Sequence, residues 1–286
     1  MRGNGSIVPD NRRQRVVLVT GASGGLGKAT VDHFHSRGWS VAAAARDPRN
    51  LHLWRSDGDV FGVRLDLLDQ ASVKAAVAEV EERFGHIDVL VNNAGTGLAG
   101  PLEAMEIPTL QKHFETNVMG AISVTKAVLP GMRRKRTGTI VNVTSIAGRL
   151  GLPFMAPYVA AKFALEGLAE SLRYELAPFG IKMRLVEPSG IRTSFQHEWI
   201  SDAPYEREIA MLRQHMADGM AKSLLPEKVA SVIYRAAVST GSTLRFPTRD
   251  AGLLMLIKSL LPDSILQALI RVAFLKEYPT GYEDHG

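Results

Sequence analysis

The chain has 286 residues, of which 45% are hydrophobic and 22% are charged, a balance typical of globular proteins. It contains no cysteine, which excludes disulfides, thiolate metal sites and a cysteine nucleophile, and we predict no metal site. The net charge of +5 is modest. The densest cationic run, residues 133–136, lies at a predicted helix end, where cations complement the helix dipole, so we expect no nucleic-acid partner.

The ends of the chain differ in character from its middle. Residues 1–15 form a polar, arginine-bearing arm without the apolar core of a secretory signal. No apolar run reaches the roughly 18 residues of a membrane span. We therefore expect a cytoplasmic protein. Because no low-complexity linker divides the chain, we also expect one domain over residues 16–247, followed by a helical extension over residues 248–286.

Short β-branched runs alternate with helical patterns along the domain. Strands are predicted at residues 16–19, 40–45, 60–65, 87–91, 139–143, 181–186 and 243–246. Helices are predicted near residues 25–37, 70–84, 107–130, 157–177 and 226–239, with Gly38 and Gly85 placed to end the first two. This alternation predicts a doubly wound α/β fold, a parallel sheet covered on both faces with ligands at the carboxyl ends of its strands. Residues 194–225 show no strand pattern.

A glycine-rich turn joins the first strand to the first helix. Residues 20–27 read Thr-Gly-Ala-Ser-Gly-Gly-Leu-Gly. Glycines here allow a tight turn and let backbone N–H groups and the helix N-terminus approach a pyrophosphate. The spacing fits Thr-Gly-x-x-x-Gly-x-Gly through Gly21, Gly25 and Gly27, and because Gly24 is also glycine it fits Thr-Gly-x-x-Gly-x-x-Gly equally well. Both spacings predict a dinucleotide site.

The end of the second strand carries information about the cofactor. A site for NAD places a carboxylate there to bind the ribose 2′-hydroxyl. This chain has Arg46, whose cation suits a 2′-phosphate, although Asp47 lies close enough to compete. We therefore predict NADP, with NAD possible.

Tyr158 and Lys162 are four residues apart in a predicted helix, so both side chains lie on one helical face. A phenol has a pKa of about 10, too high for a base at neutral pH. An ammonium about 4 Å away would lower the pKa of Tyr158 by roughly three units before desolvation offsets part of the effect. The pair is thus a candidate for general acid–base catalysis, though the spacing alone is a weak signal.

Further motifs follow these in order. Leu65-Asp66-Leu67 follows the third strand, Asn92-Asn93-Ala94-Gly95 follows the fourth, and Thr116-Asn117-Val118 lies in a helix. Ser145 stands thirteen residues before Tyr158, and residues 188–193 read Pro-Ser-Gly-Ile-Arg-Thr. With these motifs the chain resembles the short-chain dehydrogenase/reductase family in its compact, single-domain form, from about Val16 to Phe246.

The resemblance implies a role for each matching residue. Tyr158 would exchange a proton with the substrate oxygen, Ser145 would orient that oxygen, Lys162 would lower the pKa of Tyr158 and hold the nicotinamide ribose, and Asn117 would anchor a proton-relay water. Asp66 would contact the adenine and Thr193 the carboxamide. The implied cofactor-binding residues are Gly21, Ser23, Gly24, Gly25, Leu26, Gly27, Arg46, Asp66, Leu67, Asn93, Ala94, Gly95, Tyr158, Lys162, Pro188, Gly190, Ile191 and Thr193. Ser189 departs from the family pattern by separating Pro188 from Gly190.

The substrate is expected to be hydrophobic. Residues 151–154, 163–172 and 178–180 look like family branches that act on steroids and retinoids, and residues 194–225 correspond to the family's substrate loop. The apolar side chains of this loop are Phe195, Trp199, Tyr205, Met211, Met216 and Met220. They form either an adaptable lid over the substrate or the ordinary core of two packed helices.

We accordingly expect an NADP(H)-dependent oxidoreductase that interconverts a hydrophobic ketone or aldehyde with its alcohol. A same-family epimerase or dehydratase and a catalytically silent cofactor sensor are the alternatives. The compact length and residues 92–95 favour the oxidoreductase.

The extension after Pro247 carries two apolar helical runs separated by Pro262. Asp263 and Ser264 can cap the second run, with Gln267 completing a Ser-x-x-Gln capping box. We expect the extension to pack against the domain or a second subunit of a homodimer. Peripheral membrane contact is the alternative, because the apolar surface could also lie on a bilayer.

Overall fold

A parallel sheet forms the centre of the computed structural model, which describes residues 14–47, 49, 51, 59–195 and 197–275. Within this part of the chain there are nine strands. They are β1 (Val16–Thr20), β2 (Ser40–Ala45), β3 (Val60–Arg64), β4 (Val89–Asn92), β5 (Gly97–Ala99), β6 (Gly138–Val143), β7 (Ile181–Glu187), β8 (His197–Trp199) and β9 (Arg245–Pro247). Seven form one sheet in the order β3-β2-β1-β4-β6-β7-β9, and every pairing in it is parallel.

The described residues form nine α-helices, and some of them cover both faces of this sheet. The helices are α1 (Gly25–His35), α2 (Gln70–Phe84), α3 (Ile107–Phe114), α4 (Gly120–Lys135), α5 (Ala156–Leu176), α6 (Glu206–Lys222), α7 (Pro226–Val238), α8 (Arg249–Leu260) and α9 (Asp263–Phe274). On one face α1 and α7 enclose a core that includes Phe34 and Ile233. On the other, α2, α4 and α5 enclose a core that includes Leu18 and Leu90. The doubly wound α/β prediction is confirmed.

The predicted helix over residues 107–130 is interrupted. A π-helical turn, Glu115–Met119, separates α3 from α4, which then continues to Lys135. The hydrogen-bond ladder widens to i→i+5 in such a turn, and single π turns are frequent at functional sites. The cationic run lies at the end of α4 as expected, and Lys135 Nζ is 2.7 Å from Asp88 Oδ1.

Two short strands were not predicted. β5 and β8 pair in parallel as a separate small sheet, so the segment 194–225 contains a strand and one α-helix, α6, in place of irregular chain. The absence of a strand in the prediction for this segment was wrong, because three residues carry too little alternation to be recognised.

The C-terminal extension packs against the domain through part of its surface. Ala251 and Leu266 are buried, the Phe274 ring lies 4.7 Å from the His215 ring of α6, and Lys258 Nζ donates to the Arg149 carbonyl. The outward faces remain apolar, with these large side chains exposed: Leu253, Leu256, Ile257, Leu260, Ile265, Leu269 and Val272. Within residues 14–275 as described, no helix combines the length and apolar character needed to cross a membrane.

The predicted capping box of the last helix is not formed. The residue preceding α9 is Pro262, and no side chain caps the helix. Gln267 Nε2 instead donates to Asp263 Oδ2 at 3.0 Å within the helix. The helix begins two residues earlier than the box requires, because Pro262 and not Ser264 is the residue that precedes it. Lys276, the last cation of the extension, and most of the N-terminal arm lie outside the described residues.

Candidate functional site

Ser145, Tyr158 and Lys162 meet at the carboxyl end of β6. Thr144 and Ser145 follow this strand directly, and the Ser145 side chain is buried close enough to the Tyr158 hydroxyl to lower the pKa of the phenol. Tyr158 lies in the first turn of α5, and Lys162 lies one turn later. Lys162 Nζ donates to the Val143 carbonyl at 3.1 Å and lies 5.6 Å from the centre of the Tyr158 ring. The helical spacing read from the sequence thus places the two side chains as expected.

The acidity of this pair differs from the expectation. Burial raises the pKa of Tyr158 to about 12, and the Ser145 hydroxyl only partly opposes this rise. Burial also lowers the pKa of Lys162 to about 8, against the attraction of Glu166. In the protein alone Lys162 therefore does not bring the pKa of Tyr158 toward neutrality, because removing both groups from water disfavours both charges.

Asn117 is fixed inside the π turn. Its Oδ1 accepts from the Thr96 backbone N–H at 3.1 Å, and its Nδ2 donates to the His113 carbonyl at 3.0 Å and to Thr96 Oγ1 at 3.1 Å. The side chain is only 2% exposed. Gly95 is required beside it, since a Cβ on Gly95 would lie 2.6 Å from Asn117 Oδ1.

Two histidines flank Tyr158 that the sequence reasoning missed. The His113 ring lies 6.3 Å and the His197 ring 5.6 Å from the Tyr158 ring. Burial is the largest cause that lowers the pKa of each to about 4, so both are neutral near pH 7. His113 precedes Asn117 by one helical turn and could have been found from that spacing. His197 lies in β8, a strand that no pattern in the sequence predicts.

The glycine turn has the backbone form that a bound pyrophosphate needs. Gly21 and Gly25 have φ values of 69° and 51°, a region that favours glycine. A Cβ on Gly27 would lie 2.0 Å from the Gly21 carbonyl oxygen, so only glycine fits there. α1 has neither a side-chain cap nor an acidic residue in its first turn, so no side chain competes with an anion at its N-terminus. Ser23 is exposed at the rim of this turn, and Leu26 is buried beneath it.

The segments after β3 and β4 border the same edge. Thr20 Oγ1 accepts from the backbone N–H groups of Asn93 and Ala94, and Asn93 Nδ2 donates to the Thr20 carbonyl at 2.9 Å. These bonds clamp the end of β4 to the end of β1. Asp66 Oδ1 accepts from the Leu68 N–H at 3.0 Å, and Leu67 lies against α4, where a Cβ on Gly120 would come within 2.7 Å of it.

The basic residue after β2 is exposed and its acidic neighbour is occupied. Asp47 accepts three hydrogen bonds from Arg49, from the backbone N–H, Nε and Nη2. The Arg49 side-chain bond is also the largest cause that lowers the pKa of Asp47. Asp47 is therefore turned toward Arg49, while Arg46 is exposed at the end of the strand.

The loop of residues 188–193 lies between the glycine turn and α6. Pro188 accepts from the Ile146 N–H, and Gly190 accepts from the Leu224 N–H. Ile191 forms a bridge with Leu224, and a Cβ on Gly25 would meet the Thr193 side chain at 3.1 Å. The inserted Ser189 hydrogen-bonds Asp250, at the start of α8, and so ties this loop to the C-terminal extension.

The substrate-loop side chains are neither a plain core nor fully exposed. Phe195 is 40% exposed, and its ring lies 5.5 Å from His197, which lies 6.1 Å from Trp199. Tyr205 lies 5.9 Å from Phe154. The three methionines of α6, Met211, Met216 and Met220, are half-buried. The buried residues of α6 are Ile209 and Leu212. The alternative was that these side chains form the core of two packed helices; in the described part of the segment α6 is the one α-helix, and it contacts α9 through the His215 and Phe274 rings.

Comparisons with known proteins agree with this geometry. The family model described as short chain dehydrogenase matches residues 15–204. An uncharacterized oxidoreductase, YusZ of Bacillus subtilis, is 34% identical over 275 residues, covering 90% of this chain and 98% of the relative. A 3-ketodihydrosphingosine reductase of Bacteroides thetaiotaomicron is 32% identical over 91% of this chain and 98% of its own length. Human 17-beta-hydroxysteroid dehydrogenase type 1 is 35% identical over 84% of this chain and 79% of its own length.

Solved structures give the same result. A short-chain dehydrogenase from Streptomyces avermitilis has a TM-score of 0.80 and 34% identity, covering 92% of this chain and 97% of that one. A short chain dehydrogenase/reductase from Burkholderia phymatum in complex with NAD has a TM-score of 0.76 and 26% identity, covering 90% of this chain and 95% of that one. ElxO with NADP bound has a TM-score of 0.70 and 27% identity, covering 85% of this chain and 99% of that one. The family to which the chain is similar thus includes both NAD-bound and NADP-bound structures.

Proposed function

The chain belongs to the short-chain dehydrogenase/reductase family, as its resemblance predicted, and from this membership we propose that it interconverts a hydrophobic ketone or aldehyde with the corresponding alcohol, using NADP(H). The observation that carries the proposal is the arrangement at the end of β6. There the Ser145 hydroxyl is close enough to Tyr158 to lower the pKa of the phenol, and the buried Lys162 side chain lies one helical turn away.

Each of the three side chains has a separate task in the proposed reaction. In the direction of reduction, Tyr158 donates its phenolic proton to the substrate oxygen, and Ser145 donates a hydrogen bond that orients the same oxygen. Lys162 stabilises the phenolate that Tyr158 leaves behind. When bound, the nicotinamide supplies or accepts the hydride and, in its oxidised form, adds a positive charge. Asn117 anchors the water through which the proton of Tyr158 is replaced.

The residues at the carboxyl edge of the sheet fit such a cofactor. The pyrophosphate would lie on the glycine turn and the N-terminus of α1, the adenine beside Asp66, and the carboxamide beside Thr193. We propose a preference for NADP because Arg46 is exposed at the end of β2, whereas the nearby Asp47 carboxylate is occupied by Arg49. A carboxylate held in this way competes poorly for a ribose hydroxyl, but NAD binding remains possible.

The substrate is proposed to be a largely apolar molecule. Phe195, Trp199 and the half-buried methionines of α6 provide an apolar surface that can adapt its shape. The relatives named for 3-ketodihydrosphingosine and for a 17-beta-hydroxysteroid point to the same class. We propose that the protein acts in the cytoplasm as a homodimer. The exposed apolar faces of α8 and α9 would contact a second subunit or, as the second possibility, a membrane surface.

A single set of assays tests the proposed function. Oxidation of NADPH and of NADH is followed with a panel of ketones, steroids, retinal and a 3-keto sphingoid base. The matched control is Tyr158→Phe, which keeps the ring and removes the proton. Turnover by Tyr158→Phe should fall by roughly 10²-fold or more, the scale of general acid catalysis, with cofactor affinity nearly unchanged. NADPH binding without turnover of any compound would favour the silent sensor, and near-normal turnover by Tyr158→Phe would refute the assignment.

A further inference from the structure

The helical face that bears Tyr158 and Lys162 continues to a buried carboxylate. Glu166 follows Lys162 by four residues on α5, so the three side chains lie on one face at successive turns. Glu166 is only 4% exposed. A buried carboxylate is costly unless it is paired and hydrogen-bonded, and the proposed reaction gives Glu166 no task.

Both oxygens of Glu166 are bound from other elements. Thr144 Oγ1 donates to Oε1 at 2.7 Å, and Arg245 Nε donates to Oε2 at 3.1 Å. Thr144 is the residue before Ser145, and Arg245 begins β9. The carboxylate is therefore fixed between the strand that carries the catalytic serine and the edge strand of the sheet.

Arg245 extends the contact toward the loop of residues 188–193. Its Nε also lies 3.1 Å from Glu187 Oε1, and Arg149 Nη1 lies 3.2 Å from the same oxygen. Glu187 directly precedes Pro188. Glu170, on the exposed side of α5, binds Arg245 from outside.

Among the described residues, five charged groups interact with Glu166 or with its partners. They are Lys162 and Glu170 from α5, Arg149 from the turn after β6, Glu187 from β7 and Arg245 from β9. Lys162 is faced in addition by His113 of α3, which is neutral near pH 7. Burial raises the pKa of Glu166 and the Glu187 carboxylate adds to this effect, while the bonds from Thr144 and Arg245 oppose it.

Lys162 is the group whose charge depends on this carboxylate. Its burial disfavours the ammonium, and Glu166 is the interaction that opposes that loss. The hydrogen bond from Lys162 to the Val143 carbonyl contributes no countercharge. A lysine that must stay protonated beside Tyr158 thus depends on the carboxylate one turn further along α5.

We propose that Glu166 is a positioning residue for the reaction proposed above, acting through Lys162: its carboxylate, held by Thr144 and Arg245 one helical turn beyond Lys162, keeps Lys162 protonated beside Tyr158. The inference rests on the proposed function. It assigns no contact between Glu166 and the substrate or cofactor.

The test is the pH profile of turnover in ketone reduction by Glu166→Gln, which has the shape of glutamate and no charge. Without the countercharge, Lys162 should lose its proton at lower pH. The alkaline limb of the profile should therefore move to lower pH by roughly one unit, the scale on which a neighbouring opposite charge shifts a pKa. Glu170→Gln is the matched control, because Glu170 also binds Arg245 but has a side chain that is 55% exposed. Its alkaline limb should remain where the unaltered enzyme has it.

A second variant keeps the test decisive if Glu166→Gln does not fold. Thr144→Val removes the hydroxyl that donates to Glu166, so Glu166 should lose its charge over more of the pH range. The alkaline limb should then move in the same direction by a smaller amount. An unmoved limb in every folded variant at these two positions, or an equal shift in Glu170→Gln, overturns the inference. Failure of the proposed function can be told apart from failure of the inference about Glu166, because it would show as undiminished turnover by Tyr158→Phe.

Discussion

The high pKa of Tyr158 leads to a prediction about the cofactor. At a pKa of about 12, the phenolate is a negligible fraction of Tyr158 near neutral pH, so the residue could not act as a base in alcohol oxidation. A pKa near 7 would be suitable, and the difference of roughly five units corresponds to about 7 kcal/mol. One positive charge about 5 Å away at an effective dielectric of about 20 contributes only about 3 kcal/mol. Lys162 alone is therefore insufficient, and a second positive charge is required.

Oxidised NADP should supply that charge. We expect it to lower the pKa of Tyr158 by about two units or more, the equivalent of about 3 kcal/mol. The phenolate is measured by its near-ultraviolet absorbance as pH is raised, with and without saturating cofactor. Because the chain has 6 tyrosines, the titration of Tyr158→Phe is subtracted to isolate the signal of Tyr158.

The reduced cofactor is the control for this titration. It binds the same backbone turn but has no positive charge on its ring, so it should leave the pKa of Tyr158 close to its value in the protein alone. Identical titration curves with oxidised and reduced cofactor would refute the reasoning. Tyr158 would then reach neutral pH by some other route, or would not act as a base.

Three further changes test other parts of the site. Arg46→Ala should weaken NADPH binding by roughly one to two decades, because it removes a charge-assisted contact of about 1.5–3 kcal/mol. In the same binding titration the affinity for NADH should be nearly unchanged. Equal losses of affinity for both cofactors would show that Arg46 does not bind the 2′-phosphate. Gly27→Ala should lower the thermal unfolding midpoint and the cofactor affinity, because its Cβ would lie 2.0 Å from a backbone oxygen. Gly24→Ala, whose Cβ meets nothing within 4 Å, should not lower the midpoint, and an equal effect of both changes would contradict this reasoning. Truncation after Asp250 should cause aggregation or loss of substrate affinity, since it uncovers α6. A truncated protein that stays active and in solution but no longer sediments with liposomes would instead identify the extension as a membrane anchor.

Much of the fold and part of the site could be predicted from local pattern. The alternation of apolar strands and helices predicted all seven strands of the main sheet, because each buried parallel strand is a continuous apolar run. The spacing of four between Tyr158 and Lys162 predicted their shared face, and the glycines predicted the turn before α1. In each case the physical cause lies within a few residues of the pattern.

Features set by contacts between distant segments could not be predicted. β5 and β8 are short, and they pair where the His197 ring covers Gly97, since a Cβ on Gly97 would come within 2.4 Å of that ring. Arg245 reaches Glu166 from 79 positions away, and no local pattern connects them. Ser189 likewise could be recognised as an insertion, but its bond to Asp250 depends on where α8 begins.

The error in the predicted pKa of Tyr158 has the same origin and explains why the site needs several charges. Helical spacing fixes how near Lys162 lies to Tyr158, but it does not fix how much water either group loses. Once both are buried, desolvation raises the pKa of the phenol and lowers that of the amine, so each group favours its neutral form. A lysine in this position can stabilise a phenolate only if another group keeps the lysine charged. The Glu166 carboxylate meets that need from within the chain, and the oxidised nicotinamide adds the second positive charge when it binds. In the proposed reaction Tyr158 is therefore protonated in the free protein and with the reduced cofactor, which is the form that ketone reduction requires, and only the oxidised cofactor lowers its pKa.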